Sequence, residues 1–293
     1  MSTRLRSRWL LCFALGLAAP GCLSFQKQTL LMRVDPAEDT LRVRLIYEGW
    51  HHEPLVAFGQ DKNPDHAEMA RSLASLDHAL CFFTPLLWLD LQDAEPEVAE
   101  FAAHFRILAH GHFLNPEGKL SSWQDVQLSD LTELLGRVNR GISRSILEDR
   151  DEGGAADDEF DAETRKLLRE RAQEGHSWIR LDASGISFHL AASASQWKRW
   201  KADVLADVAR DDEEGAIWRN FLVENPLSFV QDGVAGIFSV AASTDGLITL
   251  QIWNDVDSYD PAFLEFLRGG DLPHDVTLRI DEDQTLATLL EEF

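Results

Sequence analysis

The stretch FRILAHGHFLNPEGKLSSWQDVQL, residues 105–128, reads as two strands folded about a turn. Asn115, Pro116 and Gly118 are turn formers at the positions a β-turn favours. In a regular strand, side chains alternate between faces. Phe105, Ile107, Ala109 and Phe113 then share an apolar face, and His104, Arg106, His110 and His112 the opposite, polar one. A tight turn joins antiparallel strands only, since a parallel pair needs a long crossover. This segment therefore points away from a parallel α/β sheet.

The same pattern recurs on either side. TLLMRV (29–34), DPAED (35–39) and TLRVRLIYEG (40–49) form a hairpin in which Leu41, Val43, Leu45 and Tyr47 alternate with Arg42 and Arg44. SWIRLD (177–182) and ISFHLA (186–191) make a third. GIFSVAAS (236–243) and LITLQIWN (247–254) around Asp245-Gly246 make a fourth, since Asp-Gly is a strong hairpin signal. VTLRID (276–281) is a last expected strand.

Helices fill the intervals. Met69, Leu73, Leu76 and Leu80 lie on one stripe of 65–80. Leu131, Leu134, Leu135, Val138, Ile142 and Ile146 lie on one stripe of 128–147, which opens on Asp130 and Glu133 like a capping box. Further helices are expected near 96–103, over 161–174, from Ser193, over 212–224, from Pro261 to Arg268 and over 283–292. The class is α+β: antiparallel hairpins alternating with helix pairs, the helices packed on one face of the sheets.

EDRDEGGAADDEFDAE, 148–163, carries nine acids and one arginine with little to bury, so it reads as a linker or exposed loop. It divides an α+β domain or subdomain over 29–147 from a second over 164–293.

The first residues are different. Arg4, Arg6 and Arg8 precede an apolar run over 9–19, followed by Pro20-Gly21-Cys22, and the first acid of the chain is Asp35. The run is shorter than the ~20 residues that span a bilayer and fits the h-region of an export signal. The step into Cys22 resembles the lipobox of bacterial lipoproteins, with Ala19 where that family prefers Leu. The resemblance covers residues 1–22 only. It implies that 1–21 are removed, that Cys22 becomes a lipid-bearing N-terminus, and that 22–28 form a tether. Leu23 is not the Asp that the family pattern links to inner-membrane retention, so the outer membrane is the expected destination. Ordinary cleavage after Ala18 is the alternative.

Charge narrows the partners. The chain carries −23; without the three leader arginines, 24 basic residues face 50 acidic ones, a net of −26. Such a chain repels phosphate backbones, which argues against nucleic-acid binding. It also disfavours lying on an anionic bilayer, so attachment would come from the lipid on Cys22. After Cys22, Cys81 is the only cysteine, set in the apolar run LCFFTPLLWL (80–89), and it reads as a buried apolar residue.

The sharpest candidate for chemistry is His110-Gly111-His112. Residues i and i+2 of a strand project to one side and could share a metal, with His51, His52 and Glu53 adding ligands. On the alternation above, His110 and His112 face solvent instead. Asp255, Asp257, Asp260 and Glu265 lack the spacing of a calcium loop. Gly185-Ile186-Ser187-Phe188-His189 lacks the spacing of a nucleophile elbow. Trp50, Trp123, Trp178 and Trp253 lie in or beside strands, as either core or a stacking platform.

The expectation is a membrane-tethered, exported lipoprotein of the cell envelope, acting without catalysis or cofactor by binding an envelope protein or other component. The alternative is an envelope metal-dependent hydrolase built on His51, His52, His110 and His112.

Overall fold

A computed structural model describes residues 25–51, 66–74, 103–148, 160–209, 238–253 and 261–293. The leader, Cys22, His52, Cys81, the 80–89 run, Asp255 and Asp257, and the helices expected near 96–103 and over 212–224 lie outside them.

The architecture is α+β. Strands β1 (Lys27–Asp35), β2 (Thr40–Glu48), β3 (Phe105–Leu114), β4 (Leu120–Leu128) and β8 (Ile248–Trp253) form one sheet in the order β3-β4-β2-β1-β8. Strands β5 (Ile179–Asp182), β6 (Gly185–Phe188) and β7 (Phe238–Ala241) form a second sheet in that order. The described helices are α1 (His66–Ala74), α2 (Leu131–Glu148), α3 (Ala162–Gln173), α4 (Ala194–Val208), α5 (Pro261–Arg268) and α6 (Leu286–Glu291). None of them is long and apolar enough to cross a membrane.

The turns follow their local chemistry. The Asp35 carboxylate accepts from the Ala37 and Glu38 amides at 2.9 and 3.2 Å, and the Asn115 amide oxygen accepts from Glu117 and Lys119 at 3.1 and 2.9 Å. Gly185 has φ +145°, and a Cβ there would stand 2.2 Å from the Val240 carbonyl, so only glycine lets β7 approach.

Helices α3 and α4 are capped jointly. Asp161 accepts from the Thr164 amide at 2.7 Å and from the Ser193 and Ser195 hydroxyls at 2.6 and 2.8 Å. Ser193 in turn accepts from the Gln196 amide at 3.1 Å. Hydrogen bonds from Ser193 and Thr164 hold the Asp161 carboxyl far below its ordinary range.

Four expectations change. First, Gly246 and Ser243 close the Asp245-Gly246 turn, but its arms are not a hairpin: β7 pairs with β6, and β8 joins β1 in the other sheet. Arg33 in β1 fixes the turn, donating to the Asp245 carbonyl at 2.7 Å and its carboxylate at 3.0 Å. Second, 276–281 is not a strand; it meets β3 at one parallel bridge, His112 to Ile280, where the Asp281 amide donates to the His112 carbonyl at 2.8 Å.

Third, the side of β2 that carries Arg44 is covered as well. From Val43 to Glu48 every residue of β2 is buried. Arg44 lies on the face expected to be polar, yet it is only 4 % exposed. It donates from Nε and Nη2 to both oxygens of Asp125 at 2.6 and 2.9 Å and from Nη1 to the Leu289 carbonyl at 2.7 Å. The Trp123 and Phe293 rings flank the guanidinium, at 5.2 and 5.3 Å to their centroids. Burial alone would raise the Asp125 carboxyl, but hydrogen bonds from Arg44 and Arg42 outweigh it and hold the group below its ordinary value.

Fourth, the compact units do not divide in the acidic stretch. Within the described residues, one unit holds 32–41, 129–148, 160–209 and 238–250; the other holds 25–31, 42–51, 66–74, 103–128, 251–253 and 261–293. Segments from both sides of 148–163 build the first unit's core. Ile146 of α2 clusters with Leu168 and Ala172 of α3, and with Trp178 and Ala191. The packed chain also begins earlier than a tether over 22–28 allows. Phe25 is fully buried, edge-on to Tyr47 and Trp50 at 5.1 and 6.0 Å, and β1 starts at Lys27.

Candidate functional site

The histidines expected on a polar strand face are re-sorted by one extra residue. β3 pairs with β4 in a register that shifts between Ile107, opposite Val126, and Ala109, opposite Asp125. Leu108 is the bulged residue, 40 % exposed. The bulge moves the rest of the strand by one. Phe105 and Ile107 therefore share a face with His110 and His112, while Ala109, Gly111 and Phe113 point the other way, opposite Asp125, Trp123 and Ser121.

At the far end of β3 both faces are covered. Phe113 is fully buried and His112 is 6 % exposed, so the solvent-facing expectation fails for His112 and holds for His110. Nδ1 of His112 lies 2.7 Å from the hydroxyl of Ser122, its cross-strand partner. The same hydroxyl accepts from the Trp50 indole at 2.7 Å. An indole can only donate, so Ser122 Oγ accepts from Trp50 and pairs through its remaining capacity with Nδ1 of the neutral His112 imidazole. Burial, helped by nearby His110, pushes the His112 pKa down to about 4 and keeps the ring uncharged at neutral pH.

Gly111 has a packing role: a Cβ there would stand 2.9 Å from the Trp123 indole nitrogen. His51 is fully buried, its Nδ1 3.1 Å from the Gly49 carbonyl. Among the described residues, no group of three or more His, Cys, Asp or Glu is placed to hold a metal. His52 and Glu53 lie outside those residues. Trp50 and Trp178 are core residues, 1 % and 3 % exposed, so they offer no stacking platform; Trp178 donates to Ser143 at 2.8 Å. Trp123 and Trp253 are half-buried, and Lys27 sits over the Trp253 ring at 4.6 Å.

A second group escapes motif reading. Ser187 and His189 project to one side from the end of β6, and the Ser187 hydroxyl lies 2.8 Å from His189 Nε2. Arg180 is the cross-strand partner of Ser187 on β5, and Ser239 its partner on β7. The His176 ring packs edge-on against His189, with centroids 6.3 Å apart, and against Trp178 at 4.9 Å. Burial and the Arg180 charge lower His189; burial, then His189, Arg171 and Arg180, lower His176. The available sequence signal was a Ser-x-His alternation within a strand. It falls outside the nucleophile-elbow pattern because Ser187 lies within β6 rather than at a sharp strand-to-helix turn.

The chain matches no protein-family model, no curated protein and no solved structure.

Proposed function

We propose that this protein is an exported, lipid-anchored component of a bacterial cell envelope that acts by binding a partner rather than by catalysis. The observation that carries the non-catalytic part is the fate of His112, the most promising ligand in the sequence. Its ring is buried and neutral, and its Nδ1 shares the Ser122 hydroxyl with the Trp50 indole. Its carbonyl holds Asp281. These groups are engaged in keeping β3, β4 and the Trp50 segment together.

The anchoring part rests on the leader: the Arg-bearing start, the apolar run and Cys22. Phe25 adds a consequence. Only two residues separate Cys22 from Phe25, the first described residue and a fully buried one, and extended chain spans at most ~3.6 Å per residue. A lipid on Cys22 would hold the folded chain within about 10 Å of the bilayer. The expected destination is the outer membrane, and the expected partner an envelope protein or other envelope component.

Mass spectrometry of the protein extracted from membranes should give an N-terminal acylated cysteine at Cys22. A soluble product beginning at Ala19 would overturn the anchor. Metal analysis of the same sample should find no stoichiometric zinc; finding it would replace the binding reading with the metal hydrolase.

A further inference from the structure

We propose that Arg180, Ser187 and His189, with His176 behind them, form a binding site for a small tetrahedral oxyanion of the phosphate class on the polar face of the three-stranded sheet. The site stands on this sheet alone and is independent of how the chain is anchored.

The geometry supplies the donors. Arg180, Ser187 and Ser239 are directly opposed across β5, β6 and β7, so their Cβ atoms are about 5 Å from neighbour to neighbour on one face. His189 projects to that face from the end of β6, with Nε2 on the Ser187 hydroxyl at 2.8 Å. With its proton on Nε2, His189 donates to Ser187 Oγ, and the Ser187 O–H is then free to donate outward beside the Arg180 fork. Arginine is the side chain best matched to two oxygens of one anion. The opposite face of the same sheet carries Ile179, Leu181, Ile186 and Val240, so the polar row is confined to one side.

Charge points the same way. Arg180 brings a permanent positive charge to this face in a chain of net charge −23. Of the acids nearby, Glu174 pairs with Arg171 at 2.8 Å, while the Asp182 carboxylate accepts from the Ser184 amide at 2.7 Å and is held low by Ser184 and then by the Arg180 charge, which an oxyanion would have to share. Without an anion, partial burial, and after it neighbouring positive charge including that of Arg180, disfavours protonation of both imidazoles. A bound oxyanion would reverse that balance and accept from Arg180 and Ser187 together.

The test is a titration of the full chain, with 13C-labelled histidine, by inorganic phosphate and separately by glycerol phosphate, against sodium chloride at matched ionic strength. The His189 and His176 ring resonances should shift saturably, with a dissociation constant in the millimolar range, under phosphate and not under chloride. Tighter binding of glycerol phosphate would mark an esterified phosphate as the natural source, and tighter binding of inorganic phosphate the free ion. Arg180→Gln, an exposed change, should weaken binding at least tenfold, and Ser187→Ala should abolish the saturable His189 shift. Shifts that never saturate, that chloride reproduces, or that persist unchanged in both variants would overturn the proposal.

Discussion

Ser122 shows how much a single oxygen can hold. Its hydroxyl serves the Trp50 indole and His112, both buried. Ser122→Ala leaves both without their shared partner, at roughly 1–3 kcal/mol for each orphaned group. Thermal unfolding should show a fall of several degrees, and an unchanged midpoint would refute the network. His112 makes the second prediction. The buried form is neutral and its pKa is about 4, against about 6.5 when exposed. As the pH falls below 6.5, the unfolded chain takes up this proton before the folded chain does. Folded stability therefore declines between pH 6.5 and about 4, by about 3 kcal/mol at the 1.36 kcal/mol per unit of linkage. His176 and His189 act in the same sense and, being half-exposed, more weakly. Glu48, pushed up by burial, acts in the opposite sense. Comparing unfolding midpoints across this window in wild type and His112→Gln isolates the His112 contribution; equal slopes would reject it. The loss from Asp125, whose carboxyl is held low, begins only below its ordinary value of 3.8. The His110-x-His112 spacing was readable in the sequence, but the Leu108 bulge was not, because Ala109 and Phe113 keep the sequence spacing of Phe105 and Ile107, so the apolar alternation runs on unbroken across the extra residue.

At the scale of elements, what is local could be read and what is a choice of partner could not. The Asp35 and Asn115 turns, the Ser193 start of α4 and the Pro261 start of α5 depend on neighbours a few residues away, and each lies where its side chains place it. The Asp245-Gly246 turn also forms, closed by Ser243 and Gly246 and tied to β1 through Arg33, yet the strands beside it join different sheets. Arg42 and Arg44 read only as the side opposite the apolar residues, since nothing in TLRVRLIYE announces that Phe293 will lie over both and the α6 backbone over Arg44. The Arg44–Asp125 pair then carries a third prediction. Asp125→Ala strands a buried guanidinium, and breaking a buried pair from one side costs about 3–5 kcal/mol. Replacing both together, as Arg44→Met with Asp125→Leu, should cost clearly less than the single change. Calorimetric unfolding of the three proteins checks this; a double variant less stable than Asp125→Ala would show that the pair is favourable in itself rather than mutually compensated.

For the whole molecule, the acidic stretch at 148–163 invites cutting the chain in two, and the packing argues against it. A fragment ending at residue 147 would keep β1 to β4 but lose β8, the neighbour of β1 at the sheet edge. It would also lose the Leu289 carbonyl that caps Arg44 and the Phe293 ring beside it, leaving that guanidinium partly uncovered. The rest of the fragment's deficit lies in α2. Its Ile146 packs on Leu168 and Ala172, its Ser143 accepts from Trp178, and its Asn139 exchanges hydrogen bonds with the Ile179 backbone at 2.8 and 3.0 Å, all with residues beyond the cut. An amphipathic helix deprived of the surface it buries against is marginal in water. Residues 25–147 expressed alone should therefore lack a cooperative melting transition, as should 164–293, and the two co-expressed should recover one by reassociating. Insertion of a protease site between 149 and 159 makes the complementary measurement: after cleavage, the two pieces should stay together through gel filtration under native conditions and separate in denaturant. Independent cooperative melting of either fragment would show instead that the chain divides at its acidic stretch.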